Sequence, residues 1–533
     1  MDKMIINDKD SMGRIDVGSI PLPDYVEIRS SIYTYSGKVL VVYRTDRDPN
    51  SNNYYNIAVA NDDGGDFRNL FSGVIEPREK ANGIRFMPFQ DNTRILLGDY
   101  VLECTPDIDR CEKAVLIPVI YPREMCDGPN VMKHWSEIII SPDNEHIAWT
   151  SLRTDIGAAN AIGLLSREKD NYIIKNTQII SELEYYKSDE ANEGFILPQT
   201  LRGGELKQFI RGGTAISLAG AKQSVLTSSI VQDLVSEEIL QVTNLPCYDE
   251  TTIFSPDERL GVVMSTRGSA RTNFAILGLL PRPMRVRALS GLINPVYMYA
   301  VAGVRKYRKG NIGPVLIDIE RSMHEEGYQG VLLNDPDEEW VFVSPLSWHP
   351  EGKKVLWNEV LRGTEKRRIR RAELLDYQPG DPIPLKKTPD NIPYGIHDLS
   401  RLQNLPDVGI EGKIAGEHSG YAEYVRVGEE PLPAFNGSAA VTYVNYSDDG
   451  KTFYNGFEKA GYSMTKEHWY EADLEMTGEK QGEIKLRFAL SAITKDAPMK
   501  LLFEKAEDGK PKSFGYAEYN GIRINIEDMM DSE

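Results

Sequence analysis

Long apolar runs are missing from this sequence. The two longest, residues 274–280 and 296–302, are far shorter than the about 20 residues that a bilayer-spanning helix needs. The first residues, Met-Asp-Lys-Met, do not lead into the apolar stretch of a secretion signal. We therefore expect no membrane partner, and a cytoplasmic protein, or an exported one if the first residue is an end left by processing.

Basic residues are in the minority. Lys and Arg number 61 against 80 Asp and Glu, so the formal net charge is −19. Nucleic acids and anionic membranes attract basic surfaces, and this balance argues against both as the main partner. A small-molecule or saccharide-like ligand is the expected partner, with a protein segment as the alternative.

Cysteine is scarce, with four residues in 533, and no Cys-x2-Cys pair occurs. This spacing argues against a structural zinc site. Cys104 and Cys111 bracket a predicted hairpin loop, so we expect them to lie close enough for a disulfide even when both are reduced. Cys126 and Cys247 could then form a second pair; the alternative is four ordinary thiols.

Signatures of several enzyme classes are also absent. The chain has no Gly-x-Ser-x-Gly elbow, no Gly-rich phosphate loop, no dinucleotide fingerprint and no His-Glu-x-x-His. These absences argue against the enzymes that depend on them. The sequence requires no cofactor, and a divalent metal is left open.

What the chain does contain is a repeat of short strands. An apolar strand, a Ser-Pro-Asp-like turn and a second strand ending in Trp, Tyr or a small polar residue recur, with turns centred on residues 36, 89, 142, 220, 256, 349 and 448. Proline presets the first turn position, and Asp, Asn or Gly tolerate the others, so each copy predicts a tight hairpin. A four-stranded unit takes about 40–50 residues, so the longer gaps must contain insertions.

The motif is clearest at Ser141-Pro142-Asp143, Ser255-Pro256-Asp257 and His349-Pro350-Glu351. It resembles the TolB-like β-propeller superfamily, whose blades carry a Ser-Pro-Asp-Gly-type turn between their first two strands. The resemblance implies an all-β chain with a single β-propeller of seven blades, with six or eight as alternatives. Residues 25–533 would form the propeller after an N-terminal extension over 1–24, with insertions at about 294–340 and 394–435. Propellers host enzymes and scaffolds alike, so the resemblance concerns the fold and not the activity.

The pentapeptide Gly-Tyr-Ala-Glu-Tyr occurs twice, at residues 420–424 and 515–519. Tyr and Glu alternate with a period of two residues, as side chains do on a β-strand. We expect the two copies to be equivalent or paired strands.

Candidate site residues follow from the expected propeller. Ligands bind at the mouth of the central channel, where the innermost strands begin. The residues that precede the expected inner strands are Glu27, Arg29, Arg85, His134, Trp135, Ser136, Glu137, Arg211, Thr214, Asp249, Glu250, Thr251, Asn436 and Ser438. The alternative for each is a polar strand end that faces solvent at the rim.

These candidates, with two residues of the second insertion, are assigned two roles. The catalytic set is His134, Glu137, His418 and Tyr421, and the substrate-binding set is Arg85, Trp135, Arg211 and Glu250. A histidine near a carboxylate can act as a general base or a metal ligand. Arginines suit a carboxylate or a developing oxyanion, and an indole stacks on a sugar ring. If His397 reached the same mouth, it and the two catalytic histidines would suit a metal.

His134 carries two geometric expectations. Alternation along a strand should point His134 and Ser136 to one side and Trp135 and Glu137 to the other. A catalytic His134 should also be partly exposed in the mouth, whereas a structural one would be satisfied within its blade.

Two functions from different classes remain. The first is an enzyme that acts on a small polar or saccharide-like substrate at the channel mouth, by acid–base chemistry of the lyase, hydrolase or isomerase type. The alternative is a non-catalytic TolB-like scaffold for protein–protein interaction. A deep pocket that gathers His, Arg and carboxylates would indicate the enzyme, and a broad, partly apolar face would indicate the scaffold. We favour the enzyme, because insertions can cover the mouth and the candidate groups are chemically varied.

Overall fold

The computed structural model describes residues 2–7, 10–76, 85–199, 202–220, 226–268, 275–283, 292–299, 312–335, 339–405, 409–494 and 499–529. Their regular secondary structure is mostly antiparallel β-strand, with only short helices, which confirms the predicted all-β class. An N-terminal hairpin is formed by β1 (Lys3–Asn7) and β2 (Gly13–Ile20). Six four-stranded units, here called sheets I to VI in chain order, are found within the described residues, and β2 of this hairpin belongs to the last of them.

Sheets I to III are meanders of four strands each. Sheet I consists of β3 (Glu27–Tyr33), β4 (Val39–Arg44), β5 (Tyr54–Ala60) and β6 (Arg68–Val74). Sheet II consists of β7 (Phe86–Pro88), β8 (Arg94–Leu97), β9 (Tyr100–Thr105) and β10 (Lys113–Ile120), and α1 (Arg123–Cys126) follows it. Sheet III consists of β11 (Val131–Ile140), β12 (His146–Arg153), β13 (Gly157–Arg167) and β14 (Tyr172–Ile179). A short parallel contact between β10 and β14 joins sheets II and III.

Sheets IV and V repeat the pattern after a hairpin of β15 (Tyr186–Ser188) and β16 (Ile196–Pro198). Sheet IV consists of β17 (Glu205–Ile210), β18 (Ala215–Gly220), β19 (Ser228–Asp233) and β20 (Ile239–Gln241). Sheet V consists of β21 (Asp249–Phe254), β22 (Leu260–Ser265), β23 (Gly313–Asp318) and β24 (Val331–Leu332). Between β22 and β23 lie α2 (Ala275–Gly278) and α3 (Ile293–Met298), and α4 (Ile319–His324) follows β23.

Sheet VI closes the ring. It consists of β25 (Trp340–Trp348), β26 (Lys354–Leu361) and β27 (Arg367–Leu374), with β2 as its fourth strand. β2 runs antiparallel to β27, with Ile15 opposite Leu374 and Ile20 opposite Ile369. A strand from the start of the chain therefore completes the last four-stranded unit, as in a closed β-propeller.

A separate eight-stranded meander, the C-terminal sheet, follows. It consists of β28 (Ile410–Ala415), β29 (Ser419–Gly428), β30 (Gly437–Ser447), β31 (Thr452–Tyr462), β32 (His468–Gly478), β33 (Gly482–Leu490), β34 (Phe514–Tyr519) and β35 (Ile522–Asn525). Short 3-10 helices precede and follow it, at Leu399–Gln403 and Ile526–Met529. The two pentapeptides lie in β29 and β34 of this one sheet, but these strands pair with other neighbours and not with each other.

The repeated turns mark hairpins of two kinds. The copies at 36, 89, 142, 256 and 349 are the first hairpin turns of sheets I, II, III, V and VI. The predicted turn at 220 lies one strand too late, because the first hairpin of sheet IV turns at residues 211–214. The copy at 448 joins β30 to β31 in the C-terminal sheet. Any tight antiparallel hairpin favours the same turn residues, so the motif alone does not separate a blade from another meander, and the expected count of seven is not confirmed.

The expected insertions overlap regular strands. β23 and β24 of sheet V lie inside the segment 294–340, whose residues 300–311 and 336–338 fall outside the described residues. β28 and β29 lie inside 394–435.

The chain leaves sheet V after β22 and returns to it with β23. We call residues 275–283 and 292–299, which lie between these two strands, the arm.

Residues 375–398, here named the strap, run across the hairpin turns of sheets V, IV and III. The backbone N–H of Gly380 donates to Asp257 (2.8 Å), and that of Thr388 donates to Asp143 (3.0 Å). Each of these aspartates also accepts a backbone N–H of its own turn. The aspartates of the repeated motif therefore hold both a turn and the strap.

Candidate functional site

The innermost strands carry a recurring irregularity. Register shifts, the mark of β-bulges, lie between Ile28 and Ser30, Lys133 and Glu137, Leu206 and Gln208, Asp249 and Thr252, and Val343 and Leu346. A bulge turns a side chain out of the normal alternation, and bulges are common beside functional sites. The shifted residues include Arg29, Lys207 and Glu250, so the bulges re-aim charged side chains on three inner strands.

Lys207 joins the inner strands of sheets IV and V. Its ammonium lies 2.7 Å from Glu205 Oε2 and 3.3 Å from Glu250 Oε1. The phenol of Tyr248 donates to the other oxygen of Glu250, at 2.9 Å. The lysine side chain is only 3% exposed, whereas that of Glu205 is 32% exposed. Glu205 is therefore the carboxylate of this group that solvent reaches most easily.

Arg85 extends the group to sheets II and III. Arg85 lies directly before β7 and forms an ion pair with Glu137 of β11. Glu205 and Glu250 also act on Arg85 electrostatically. We call Arg85, Glu137, Glu205, Lys207, Tyr248 and Glu250 the mouth cluster. It draws on four consecutive sheets and carries two cations against three carboxylates.

Burial and charge set the protonation states of the cluster. Burial alone would lower the pKa of Lys207, but Glu205 and Glu250 more than offset this and raise it, so the ammonium stays charged. Burial and the neighbouring Glu250 hold the pKa of Tyr248 well above its usual range, so this residue stays a proton-bearing phenol. The cluster is thus rich in both hydrogen-bond donors and acceptors at neutral pH.

The arm lies beside the cluster. The ring of Tyr297 in α3 is 6.3 Å from that of Tyr248, with an angle of 42° between the planes. Tyr297 also acts electrostatically on Arg85. An aromatic side chain from outside the propeller strands therefore forms part of the wall around the charged groups.

Three of the predicted site residues are brought together here: Arg85, Glu137 and Glu250. Sequence reasoning missed Glu205, Lys207, Tyr248 and Tyr297. The first two were missed because the inner strand of sheet IV was expected one strand too late. Charged residues that alternate with apolar ones just before residue 211 were the signal that could have located them.

His134 and Trp135 lie on β11, the strand of Glu137, and both contact the carboxylate of Asp99. His134 is 1% exposed, and both its Nε2 and the indole Nε1 of Trp135 lie 2.6 Å from Asp99 Oδ1. The imidazole packs edge-on against Tyr121, with ring centroids 4.9 Å apart. The expected alternation is wrong here because the bulge between Lys133 and Glu137 lets both rings reach one carboxylate. The expected exposure of His134 is also not observed, and its surroundings are those of a structural histidine.

Arg211 lies at the far end of its strand from the mouth cluster. It follows β17, in the hairpin turn, and its guanidinium pairs with Asp233 at 2.8 Å. Its expected place before an inner strand is therefore wrong, as is that of Thr214 in the same turn. Asn436 and Ser438 precede and begin β30 of the C-terminal sheet, so their expected place is wrong too.

His418 and Tyr421 belong to the C-terminal sheet. His418 is exposed in the turn between β28 and β29, with its ring 6.4 Å from that of Phe453. Tyr421 lies in β29 beneath the ammonium of Lys413, which is 4.8 Å from the ring centroid. Neither residue lies on an element of the mouth cluster.

The histidines considered for a metal lie on three separate elements. His397 belongs to the strap and lies 2.9 Å from Asn391 Oδ1, whereas His134 and His418 have the surroundings given above. Within the described residues no three His, Cys, Asp or Glu side chains gather as metal ligands would. The structure therefore does not bring these three histidines to one site.

The cysteines are free thiols in this structure. Cys104 in β9 and Cys111 just before β10 belong to one hairpin, and burial raises the pKa of the Cys104 thiol. The predicted hairpin between the two cysteines is therefore confirmed, and a separation short enough for a disulfide stays a prediction. Cys247 instead contacts Asp249 and Ser265 beside the inner strand of sheet V.

In the part of the chain that the structure describes, no helix has the length and apolar character needed to cross a bilayer.

No protein-family model and no curated protein matches the chain. Solved structures with a similar fold include the β-propeller domain of the Trilobed protease from Pyrococcus furiosus, at 10% identity and a TM-score of 0.33, with 68% of this chain and 99% of that chain covered. TolB from Acinetobacter baumannii is 11% identical with a TM-score of 0.25, covering 66% and 65%. An acylaminoacyl peptidase from Pyrococcus horikoshii is 9% identical with a TM-score of 0.29, covering 84% and 58%.

These likenesses concern the fold alone. The closed series of four-stranded meanders makes the chain a β-propeller by its own topology. The predicted β-propeller fold is therefore confirmed by the topology of the chain, and no subfamily is identified.

Proposed function

We propose that the mouth cluster binds a neutral, hydroxyl-rich ligand of the saccharide type and acts on it by acid–base chemistry. The observation that carries this proposal is the convergence of five charged side chains and a tyrosine from four consecutive sheets. Propellers bind ligands at the place where their inner strands begin. A concentrated polar site of this kind supports the enzyme over a scaffold, which would use a broader and more apolar face.

The charge balance supports a neutral ligand. Arg85 is already paired with Glu137, and Lys207 is shared by Glu205 and Glu250. With three carboxylates against two cations, and a chain charge of −19, the site repels anions. Paired charges present alternating acceptors and donors, which suits hydroxyl groups. This replaces the expectation that Arg85 and Arg211 hold an anion.

Among the hydrolase, lyase and isomerase alternatives we propose hydrolysis, because the limit on the separation of two carboxylates of the cluster is compatible with the spacing in a retaining glycosidase. Glu205 Oε2 and Glu250 Oε1 both contact the Lys207 ammonium, at 2.7 and 3.3 Å, so they are at most about 6 Å apart. Retaining glycosidases place their two carboxyl groups about 5–5.5 Å apart. Of these two carboxylates, that of Glu205 is the more exposed. The carboxylate of Glu250 accepts a hydrogen bond from the hydroxyl group of Tyr248.

A panel of 4-nitrophenyl glycosides tests the proposal. We expect 4-nitrophenol release from at least one neutral glycoside, and not from the corresponding glucuronides. Glu205→Gln and Glu250→Gln should each reduce that release by about 10²–10⁴-fold, the contribution of a general acid or base. The matched control is Glu168→Gln, which removes an exposed carboxylate paired with Lys175 and should leave the rate unchanged. No turnover of any neutral glycoside, or turnover that survives both substitutions, would overturn the proposal.

A further inference from the structure

The arm is anchored on the C-terminal sheet by a buried ion pair. The guanidinium of Arg282 donates to both oxygens of Glu458 in β31, with Nε 3.1 Å from Oε1 and Nη2 2.9 Å from Oε2. The phenols of Tyr443 and Tyr470 donate to the same carboxylate, at 2.9 and 3.1 Å. The arginine side chain is 4% exposed and the glutamate 1%. A buried and fully paired charge of this kind fixes one geometry, because any displacement leaves a charge without its partner.

Apolar contacts reinforce this anchor. Ile276, Leu277 and Leu280 of the arm belong to one core with Leu486 and Phe488 of the C-terminal sheet. The phenol of Tyr454 in β31 donates to the backbone oxygen of Pro281, at 3.0 Å. The first described part of the arm is therefore held by the C-terminal sheet through both packing and polar contacts.

The second described part of the arm reaches the mouth cluster. Val296 and Tyr299 of the arm are buried in the same core, whereas Tyr297 between them is half-buried and faces the ring of Tyr248. Aromatic faces beside hydroxyl-binding groups are suited to the apolar face of a sugar ring. Both described parts of the arm thus pack in one core with the C-terminal sheet, and the second part carries an aromatic wall at the mouth.

We infer that Tyr297 is a ligand-contacting, specificity-determining residue of the mouth, and that the Arg282–Glu458 pair is the contact that positions it. This inference rests on the proposed function for the ligand, but not for the placement of the arm. It gives the C-terminal sheet a role at the mouth, since the sheet holds the segment that carries the aromatic wall.

Access to Lys207 tests the placement without any ligand. Acetylation by N-hydroxysuccinimidyl acetate is measured at Lys207, which is 3% exposed, relative to Lys387, which is 59% exposed. We expect the ratio to rise several-fold in the double variant R282M/E458Q and in Tyr297→Ala. The control Arg487→Met, which removes an exposed ion pair of the same sheet, should leave the ratio unchanged. A ratio unchanged in the folded double variant would overturn the positioning role, and a ratio unchanged in Tyr297→Ala would overturn the placement of Tyr297 beside the cluster.

Kinetics on the neutral 4-nitrophenyl glycosides test the contact with the ligand. Tyr297→Ala should raise KM several-fold with kcat little changed, whereas Glu250→Gln should lower kcat. A KM unaffected by Tyr297→Ala on a glycoside that the enzyme does turn over would overturn the contact. If no glycoside is turned over but the acetylation ratio responds, the proposed function fails and the placement of the arm stands.

Discussion

Acid should weaken the C-terminal sheet through a single buried histidine. His468 begins β32 and is fully buried, and its Nδ1 accepts the backbone N–H of Ser463 at 3.1 Å. Burial lowers the pKa of His468 to about 4, from an ordinary value of 6.5. The neutral imidazole is therefore the folded form, while the unfolded chain takes up a proton as soon as the pH falls below about 6.5.

The size of the effect follows from this difference. A shift of one pKa unit corresponds to about 1.36 kcal/mol. Protonation of the unfolded state therefore lowers the free energy of unfolding by about 3 kcal/mol in total. About 2 kcal/mol of this loss occurs between pH 7 and pH 4.5. The stability contributed by His468 is complete above pH 6.5 and is lost as the pH falls toward 4. His468→Gln does not titrate, and its amide oxygen can still accept the Ser463 N–H.

Hydrogen exchange of the amides in β31 to β33 is the suitable assay, because a chain of this size need not unfold in one step. From pH 7 to pH 4.5, after correction for intrinsic exchange rates, wild-type protein should lose about 2 kcal/mol more local stability than His468→Gln. Equal losses in the two proteins, or a larger loss in the variant, would refute the reasoning.

Further outcomes can be checked by standard methods. In urea unfolding, Arg282→Met should lose about 3–5 kcal/mol because it leaves a buried carboxylate unpaired, and combining it with Glu458→Gln should restore much of that loss; a double variant no more stable than the single would contradict this. Lys207→Met removes the cation between two carboxylates and leaves their like charges without a partner, so the melting temperature of the variant at neutral pH should fall below that of wild type; an equal melting temperature would contradict this role of the lysine. Asp143→Asn weakens contacts to its own turn and to the strap, and limited proteolysis should cut within residues 375–398 faster than in wild type; an unchanged cleavage pattern would count against the strap contact.

The sequence was sufficient for the fold class because the relevant signal is local. A tight hairpin needs particular turn residues, and Pro142 and Pro256 mark two such turns correctly. It was insufficient for the count of units, because the turn at 448 uses the same chemistry in a different sheet. Closure by β2 also escaped prediction, since its partner β27 lies more than 340 residues away in the sequence.

The candidate site was predictable only where its residues lie beside a local sequence signal. Arg85 and Glu250 were found because both lie directly at the start of an apolar strand. The surroundings of His134 were not predicted. A bulge changes the side to which neighbouring residues point, and the sequence carries no clear mark of that bulge. Tyr297 could not be found at all, since its place beside Tyr248 arises from tertiary packing of a segment that carries no sequence motif.

Saturation-transfer NMR with a mixture of neutral saccharides, namely galactose, glucose, xylose and cellobiose, tests the central claim most directly. The account predicts transfer from wild-type protein to at least one of these sugars, its loss in Glu250→Gln, its retention in Glu168→Gln, and no transfer to glucuronate. Transfer to none of the neutral sugars, or equal transfer from wild type and Glu250→Gln, would contradict the assignment of the mouth cluster as a saccharide site.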